Sequence, residues 1–216
     1  VCASVCSSAD VYFSWQKDIG EFGGWANLTK FSAYISQNDN VVDFGCGGGF
    51  LLSRIRCAKK LGAEINPEAR RNALGLGITA YEKIQELPDA WADVIISNNA
   101  LEHVFAPFDA VQQLFLKVRP GGKVIFVVPC ESFKNPYVPG DINQHLYSWN
   151  PMLLGNLFVS AGFKIIEVAP YRHKWPPYYR KIAHFWGRKG FELSCKVFGW
   201  IKCDLVQIRI IALRTE

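Results

Sequence analysis

A turn rich in glycine is the first sign of chemistry in this 216-residue sequence. The stretch DFGCGGG, residues 43–49, places Gly45, Gly47, Gly48 and Gly49 directly after an apolar run. Glycine permits positive φ angles and, because it has no Cβ, lets a ligand rest against the main chain. N–H groups at the start of a following helix would point toward a polar or anionic ligand group. The pattern therefore predicts a ligand site at this turn.

Glu64 offers a second polar group to the same ligand. It ends the next predicted strand, 19 residues after Gly45, where a carboxylate can accept hydrogen bonds from both hydroxyls of a ribose. A nicotinamide-dependent oxidoreductase shares this turn and carboxylate, but its G-x-G-x-x-G pattern fails because Phe50 holds the third glycine position. That enzyme class, and a non-catalytic protein with the same binding site, are the alternatives that the sequence leaves open.

The elements that position these residues alternate between short apolar runs and helix-like stretches. Strands are predicted at 40–45, 60–65, 78–82, 92–98, 122–129, 163–170 and 206–214. Helices are predicted at 25–37, 49–59, 67–75, 107–117 and 150–161, with one or two more between 176 and 200. Strands separated by helices indicate crossover connections and a mainly parallel sheet covered on both faces. We predict an α/β fold with a doubly wound sheet of about seven strands whose last strand is antiparallel; ligands bind at the carboxyl ends of such strands.

Five stretches, in order along the chain, resemble the class I S-adenosylmethionine-dependent methyltransferases, which have a Rossmann-like sheet. VVDFGCGGGF resembles the first motif of the family, and GAEINPEAR, ELPDAWADVIISNNALEHV, RPGGKVIFVVP and HLYSWNPMLLGNLFVSAGF follow it. The N-terminal IGEFGGWAN and the basic C-terminal region resemble a subgroup associated with bacterial surface-glycan genes. The resemblance implies methyl transfer from S-adenosylmethionine to a small-molecule oxygen or nitrogen, such as that of a sugar or glycan precursor.

The resemblance also implies which residues contact the cofactor. The first motif would approach the methionine end and the ribose through Asp43, Gly45, Cys46, Gly47 and Gly49. The ribose hydroxyls and the adenine would be held by Glu64, Ile65 and, at a position where the family often carries Asp, by Glu82 or Lys83. After the fourth strand, Asn98 and Asn99 would lie beside the methionine moiety.

Candidate acceptor-side residues follow from the chemistry of methyl transfer, in which the protein aligns the nucleophile with the methyl group. A hydroxyl acceptor benefits from a general base, and histidine is the usual choice near neutral pH. His103 and His145 follow the fourth and fifth strands, and we expect either one to serve as this base or only to pack and cap locally. Candidate substrate contacts are Tyr147, Trp149, Trp15 and Glu21.

Positive charge is concentrated near the C-terminus. Residues 163–216 carry 11 Lys and Arg against 4 Asp and Glu, whereas residues 1–162 carry 13 against 15. The basic aromatic segment 171–200 has three interpretations: a basic helix packed on the sheet, a rim that attracts an anionic acceptor, or a peripheral membrane contact. Nucleic-acid binding is disfavoured, because the rest of the chain is slightly acidic and shows no RNA-binding module.

Cysteine and histidine spacing favours a protein without a metal. Seven scattered cysteines show no C-x2-C pair, and the four histidines are not spaced with them as zinc ligands, so free thiols in a reducing cytosol are predicted. No transmembrane run and no signal peptide is recognised, which predicts a cytoplasmic protein. We expect one domain, with an N-terminal cap (1–38), a cofactor-binding core (39–170), a basic aromatic helical insert (171–205) and a last strand (206–216).

Overall fold

Seven strands form one sheet in the computed structural model, which describes residues 19–202 and 206–216. They are β1 (Asn40–Phe44), β2 (Lys59–Ala63), β3 (Thr79–Tyr81), β4 (Ala92–Asn98), β5 (Val118–Cys130), β6 (Lys164–Tyr171) and β7 (Val206–Leu213). The strand order is β3-β2-β1-β4-β5-β7-β6. Strands β1 to β5 pair in parallel, whereas β7 is antiparallel to both β5 and β6. The predicted doubly wound, Rossmann-like α/β fold with an antiparallel last strand is therefore confirmed.

Four helices follow the strands: α1 (Pro67–Gly75), α2 (Pro107–Lys117), α3 (Pro151–Ser160) and α4 (Tyr179–Ile201). Proline begins α1, α2 and α3, a position where its missing N–H costs no helical hydrogen bond. The side chains of Asn66 and Asn150 cap α1 and α3 by accepting hydrogen bonds from backbone N–H groups of the first turn. Helix α4 is kinked at Gly187, whose backbone is not helical. None of the described helices is long and apolar enough to cross a membrane.

Apolar side chains cover both faces of the sheet. On one face, Val42 and Phe126 pack with Leu114 of α2 and Phe158 of α3. The other face has its own buried cluster, to which β1, β4, β5 and β7 contribute residues. Successive residues of a strand point to opposite faces, so a sheet covered on both sides requires the nearly continuous apolar runs of β1, β4 and β5.

Two predicted helices differ from the structure. The helix predicted at 49–59 is wrong: this crossover contains one 3-10 turn, Leu52–Arg54, and β2 already begins at Lys59. Only 14 residues join β1 to β2 and the first of them form the glycine turn, which leaves too few for a long helix and its connections. The segment predicted as a helix at 25–37 is helical earlier, over 19–27, and continues as the 3-10 turns Leu28–Lys30 and Ser32–Tyr34.

Candidate active site

A cavity of about 240 Å³ opens where β1 and β4 end, between the glycine turn and the helical residues 19–27. The order of the strands reverses between these two, because β1 continues to β2 on one side and β4 continues to β5 on the other. Ligands of doubly wound sheets bind in the crevice at such a reversal. The cavity is lined by Ile19, Gly20, Gly23, Gly24, Asn27, Asp43, Gly45, Cys46, Gly47, Gly48, Phe50, Leu51, Asn98 and Trp175.

Gly45 has to be glycine for two reasons. Its φ angle is +72°, and a Cβ at this position would lie 2.3 Å from the Cβ of Ala100. Its N–H donates to the carbonyl oxygen of Ala63 at 2.8 Å, which fixes the turn to the end of β2. The turn thus presents bare main chain to the cavity, which Gly45, Gly47 and Gly48 line.

The helical segment 19–27 lies directly on the glycine turn. A Cβ on Gly24 would lie 2.3 Å from the carbonyl oxygen of Phe50, and a Cβ on Gly20 would lie 2.4 Å from the Phe50 ring. Gly23 is different, because its nearest side-chain atom would be 3.7 Å away. Two glycines spaced one helical turn apart therefore let the helix cover the cavity at backbone contact distance.

Two carboxyl groups flank the turn, of which Asp43 is buried and Glu64 is half-buried. Asp43 is 2% exposed, and burial, with Glu64 nearby, raises the pKa of Asp43 well above its ordinary value. Glu64 accepts hydrogen bonds from the N–H of Gly47 at 2.9 Å and of Asn66 at 2.8 Å, while burial raises its pKa too. A carboxylate offers about four lone-pair sites, so Glu64 can still accept from a diol. Burial disfavours the ionised forms, and a cationic ligand would favour them.

Arg70 organises the turn after β2. Its Nη1 donates to the carbonyl oxygens of Glu64 and Ile65, and its Nη2 donates to Glu82 at 2.8 Å. Glu82 is therefore engaged in an ion pair with Arg70. The side chain of Ile65 is exposed and offers an apolar surface beside Glu64.

A buried lysine connects the N-terminal segment to the end of β4. Nζ of Lys30 donates to the side-chain oxygens of Asn98 and Gln207, at 2.9 Å each, and Gln207 donates in turn to Asn99 at 2.9 Å. Burial lowers the pKa of Lys30 from 10.5 to about 7. The two asparagines predicted beside the cofactor are thus held by residues that the sequence analysis did not single out.

The two candidate histidines come together beyond β4 and β5. Their ring centroids are 4.9 Å apart, and burial together with His145 lowers the pKa of His103. Nδ1 of His145 lies 2.6 Å from Glu131, and its Nε2 lies 3.9 Å from Glu102. Glu102 is fully buried, and burial raises its pKa to about 8. Neither of its carboxyl oxygens has a hydrogen-bond partner among the described residues.

The predicted substrate contacts are dispersed. Trp149 is buried in the core and stacks on Tyr147, whose hydroxyl donates to the carbonyl oxygen of Phe105. Glu21 is exposed and lines a separate hollow beside Phe50. Trp15 lies outside the described residues.

Helix α4 and the segment 19–27 hold each other over the cavity. Phe22 and Trp25 pack against Phe191, and the Arg188 guanidinium lies 4.3 Å from the ring centroid of Trp25. Thr29 donates to Glu192 of α4 at 2.7 Å. The basic segment thus contributes to the wall of the site, and Trp175 reaches the cavity itself. Aromatic composition was the only signal of this role in the sequence.

Comparison with known proteins agrees with this geometry. The profile of the family described as "Methyltransferase domain" matches residues 20–168. A ubiquinone biosynthesis O-methyltransferase from Aeromonas salmonicida is 35% identical over 97 residues, or 39% of this chain and 40% of that protein, so the chain covers less than half of that relative. An uncharacterized methyltransferase from Mycobacterium tuberculosis is 32% identical over 150 residues, or 63% of this chain and 69% of that protein. A chain in the complex of a Haloferax volcanii methyltransferase with its Trm112 activator shares the fold, with a TM-score of 0.71, 16% identity and 97% of both chains covered.

Proposed function

Because the chain belongs to the methyltransferase domain family, we propose that it transfers a methyl group from S-adenosylmethionine to an oxygen or nitrogen of a small-molecule acceptor. Membership in this family confirms the predicted enzyme class, an S-adenosylmethionine-dependent methyltransferase, and the predicted cofactor. The acceptor is the part that we infer. When bound, the cofactor supplies an electrophilic methyl group on a sulfonium, so the task of the protein is to bind, align and exclude water.

The pair of carboxyl groups beside the glycine turn, with Asp43 buried and Glu64 half-buried, is the observation that carries the proposal. The methionine end of the cofactor bears an ammonium and a sulfonium group, and such cations would favour the ionised form of Asp43. A nicotinamide dinucleotide would instead bring a negatively charged diphosphate to the same turn. The charge of the cavity thus supports the methyl donor over the oxidoreductase alternative.

We assign the cofactor contacts along the cavity as follows. Asp43 and the glycine turn hold the methionine end, Glu64 accepts from the ribose hydroxyls, and the exposed face of Ile65 packs on the adenine. Glu82 can contact the adenine only while it shares its carboxylate with Arg70. Asn98 and Asn99, oriented by Lys30 and Gln207, complete the methionine side.

We assign the acceptor to the side of His103 and His145, with Tyr147 at its edge. His103 lies in the 3-10 turn after β4, whose last residue Asn98 lines the cavity, and His145 packs against His103, so we place the acceptor beyond this end of the cavity. An oxygen acceptor is favoured by the relative named as a ubiquinone biosynthesis O-methyltransferase, and a sugar or glycan acceptor is the more specific form of the prediction. In this arrangement a neutral imidazole accepts the proton that leaves the hydroxyl.

The basic helix α4 adds a second part to the proposal. Its Lys and Arg side chains would attract an anionic acceptor. Its outer face combines Lys and Arg with exposed apolar side chains, an arrangement typical of helices that lie on anionic membranes. The exposed apolar residues of α4 and its start are Tyr178, Phe185, Trp186, Leu193, Val197, Trp200 and Ile201.

A turnover assay tests the proposal. The chain is incubated with S-adenosylmethionine and panels of hydroxyl and amine acceptors, including sugars and sugar nucleotides, and S-adenosylhomocysteine is quantified by mass spectrometry. We expect acceptor-dependent product, reduced by His103→Ala and retained by His184→Ala, which removes an exposed histidine of α4. Binding of the cofactor without turnover on any acceptor would favour the non-catalytic alternative.

A further inference from the structure

Glu102, His103 and His145 bring a carboxylate and two imidazoles to one point beyond the ends of β4 and β5. One ligand atom from each side chain lies within 4.8 Å of the other two. Glu102 and His103 belong to the 3-10 turn Leu101–His103, and the loop after β5 delivers His145. The backbone fixes this meeting, because the N–H groups of Leu146 and Tyr147 both donate to the carbonyl oxygen of Glu102.

The tautomer of His145 indicates that a cation fits between this histidine and Glu102. The carboxylate of Glu131, 2.6 Å from Nδ1, selects the tautomer in which Nδ1 carries the proton. The lone pair of Nε2 therefore faces the Glu102 carboxyl group, 3.9 Å away. When Glu102 is ionised, two electron donors thus face each other across a short gap. Metal-binding histidines are commonly oriented in this way, by a carboxylate that accepts a hydrogen bond from the ring nitrogen that does not bind the metal.

Glu102 provides the independent evidence. Its side chain is fully buried, and neither carboxyl oxygen has a hydrogen-bond partner among residues 19–202 and 206–216. A buried carboxyl group without partners is costly, so such groups are paired or coordinate metals. Nε2 of His145 and Oε1 of Glu102 are 3.9 Å apart. Metal–nitrogen and metal–oxygen bonds are about 2.0–2.2 Å long and together slightly exceed this distance, so one ion can bind both atoms.

We propose that Glu102, His103 and His145 form a binding site for a divalent transition-metal ion, with Glu131 as the residue that positions His145. Two imidazoles and one carboxylate suit Zn²⁺, Mn²⁺ or Co²⁺ and leave coordination positions open. The cysteine and histidine spacing of the sequence disfavours a metal, but the ligands proposed here are a carboxylate and two histidines from separate loops.

The consequence for methyl transfer, unlike the site itself, depends on the proposed function. A metal ion at the acceptor side would bind the acceptor hydroxyl and lower its pKa. Because a metal-bound imidazole nitrogen has no free lone pair, the hydroxyl would then release its proton to water instead of to a histidine, and its oxygen would form the new bond to the methyl carbon. The bond from that carbon to sulfur would break, leaving its electron pair on sulfur as a neutral thioether.

Metal titration of chelator-treated protein tests the site without any activity measurement. We expect Mn²⁺ and Co²⁺ to bind with one equivalent per chain in calorimetry, and Co²⁺ to develop d–d absorption bands. Glu131→Gln should weaken binding by roughly 10–100-fold, the usual effect of removing an outer partner. His145→Gln and Glu102→Gln should weaken it more, whereas His184→Gln, which removes an exposed imidazole, should leave it unchanged.

Two outcomes would overturn the proposal: no saturable one-to-one binding, or binding that His145→Gln and Glu102→Gln leave unchanged. Thermal unfolding of each variant shows whether it is folded. If Glu102→Gln does not fold, the test relies on His145→Gln, because His145 lies in a loop. A parallel titration with S-adenosylmethionine separates the two proposals. Cofactor binding without metal binding would refute the metal site alone, and metal binding without cofactor binding would refute the proposed function alone.

Discussion

Replacing Lys30 by methionine should change how the stability of the protein depends on pH. Lys30 is 3% exposed, and burial lowers its pKa from 10.5 to about 7 in the folded chain. Between these two pH values the unfolded chain binds a proton at this lysine and the folded chain does not. The free energy of unfolding therefore rises with pH between about 7 and 10.5, and the full penalty applies below pH 7.

The size of the effect follows from the shift. A change of one pKa unit corresponds to 1.36 kcal/mol, so the complete penalty is about 5 kcal/mol. Between pH 7 and pH 9 this lysine alone should increase the free energy of unfolding by about 2 kcal/mol. Lys30→Met removes the titration, so this increase should be absent from the variant.

Urea unfolding at pH 7, 8 and 9 measures the difference between the wild type and Lys30→Met. Groups that titrate in this range without interacting with Lys30 contribute equally to both proteins and cancel in the comparison, whereas Glu102, whose pKa burial raises and Lys30 lowers, adds a smaller difference. Lys59→Met, at an exposed position, is the matched control and should keep the wild-type pH dependence. If the wild type and Lys30→Met show equal slopes, Lys30 is ionised in the folded chain and the reasoning from its burial is wrong.

Two further predictions concern the cavity. Gly24→Ala should destabilise the protein by about 1–3 kcal/mol in thermal unfolding, because the new Cβ meets the Phe50 carbonyl oxygen at 2.3 Å. Gly23→Ala should instead be neutral or stabilise by up to about 1 kcal/mol through helix propensity, and equal effects of the two changes would contradict the close approach of this helix. Binding of S-adenosylmethionine should release protons and strengthen as the pH rises, since the cation favours the ionised form of Asp43, whose pKa is raised in the ligand-free chain. Calorimetry in buffers of different ionisation enthalpy counts these protons, and Asp43→Asn should abolish most of the release; a wild type that releases none would contradict the assignment.

The sheet was predictable because its signal is local. Each buried parallel strand requires a continuous apolar run, and proline and asparagine mark the starts of α1 and α3. Glu64 was identifiable from its position, since it lies at the end of the predicted second strand, directly after β2. The helix predicted at 49–59 failed because its prediction ignored how few residues remain between the glycine turn and β2.

The remainder of the site depends on contacts between distant residues. Nothing in the local sequence LTKF shows that Lys30 is buried, because its partner Gln207 is 177 positions away. The meeting of Glu102 and His145 depends on how the loop after β5 folds back over a 3-10 turn. Such contacts follow from the tertiary structure, and hydrophobic periodicity carries no information about them.

The most direct test of the central claim is calorimetric titration of the chain with S-adenosylmethionine and S-adenosylhomocysteine, with NADH and NADPH as controls. We expect the chain to bind one adenosyl ligand with micromolar affinity. Glu64→Ala should abolish this binding, whereas the exposed Glu86→Ala should preserve it. Binding of the nicotinamide cofactors alone, or adenosyl binding that Glu64→Ala leaves unchanged, would contradict the proposed S-adenosylmethionine site.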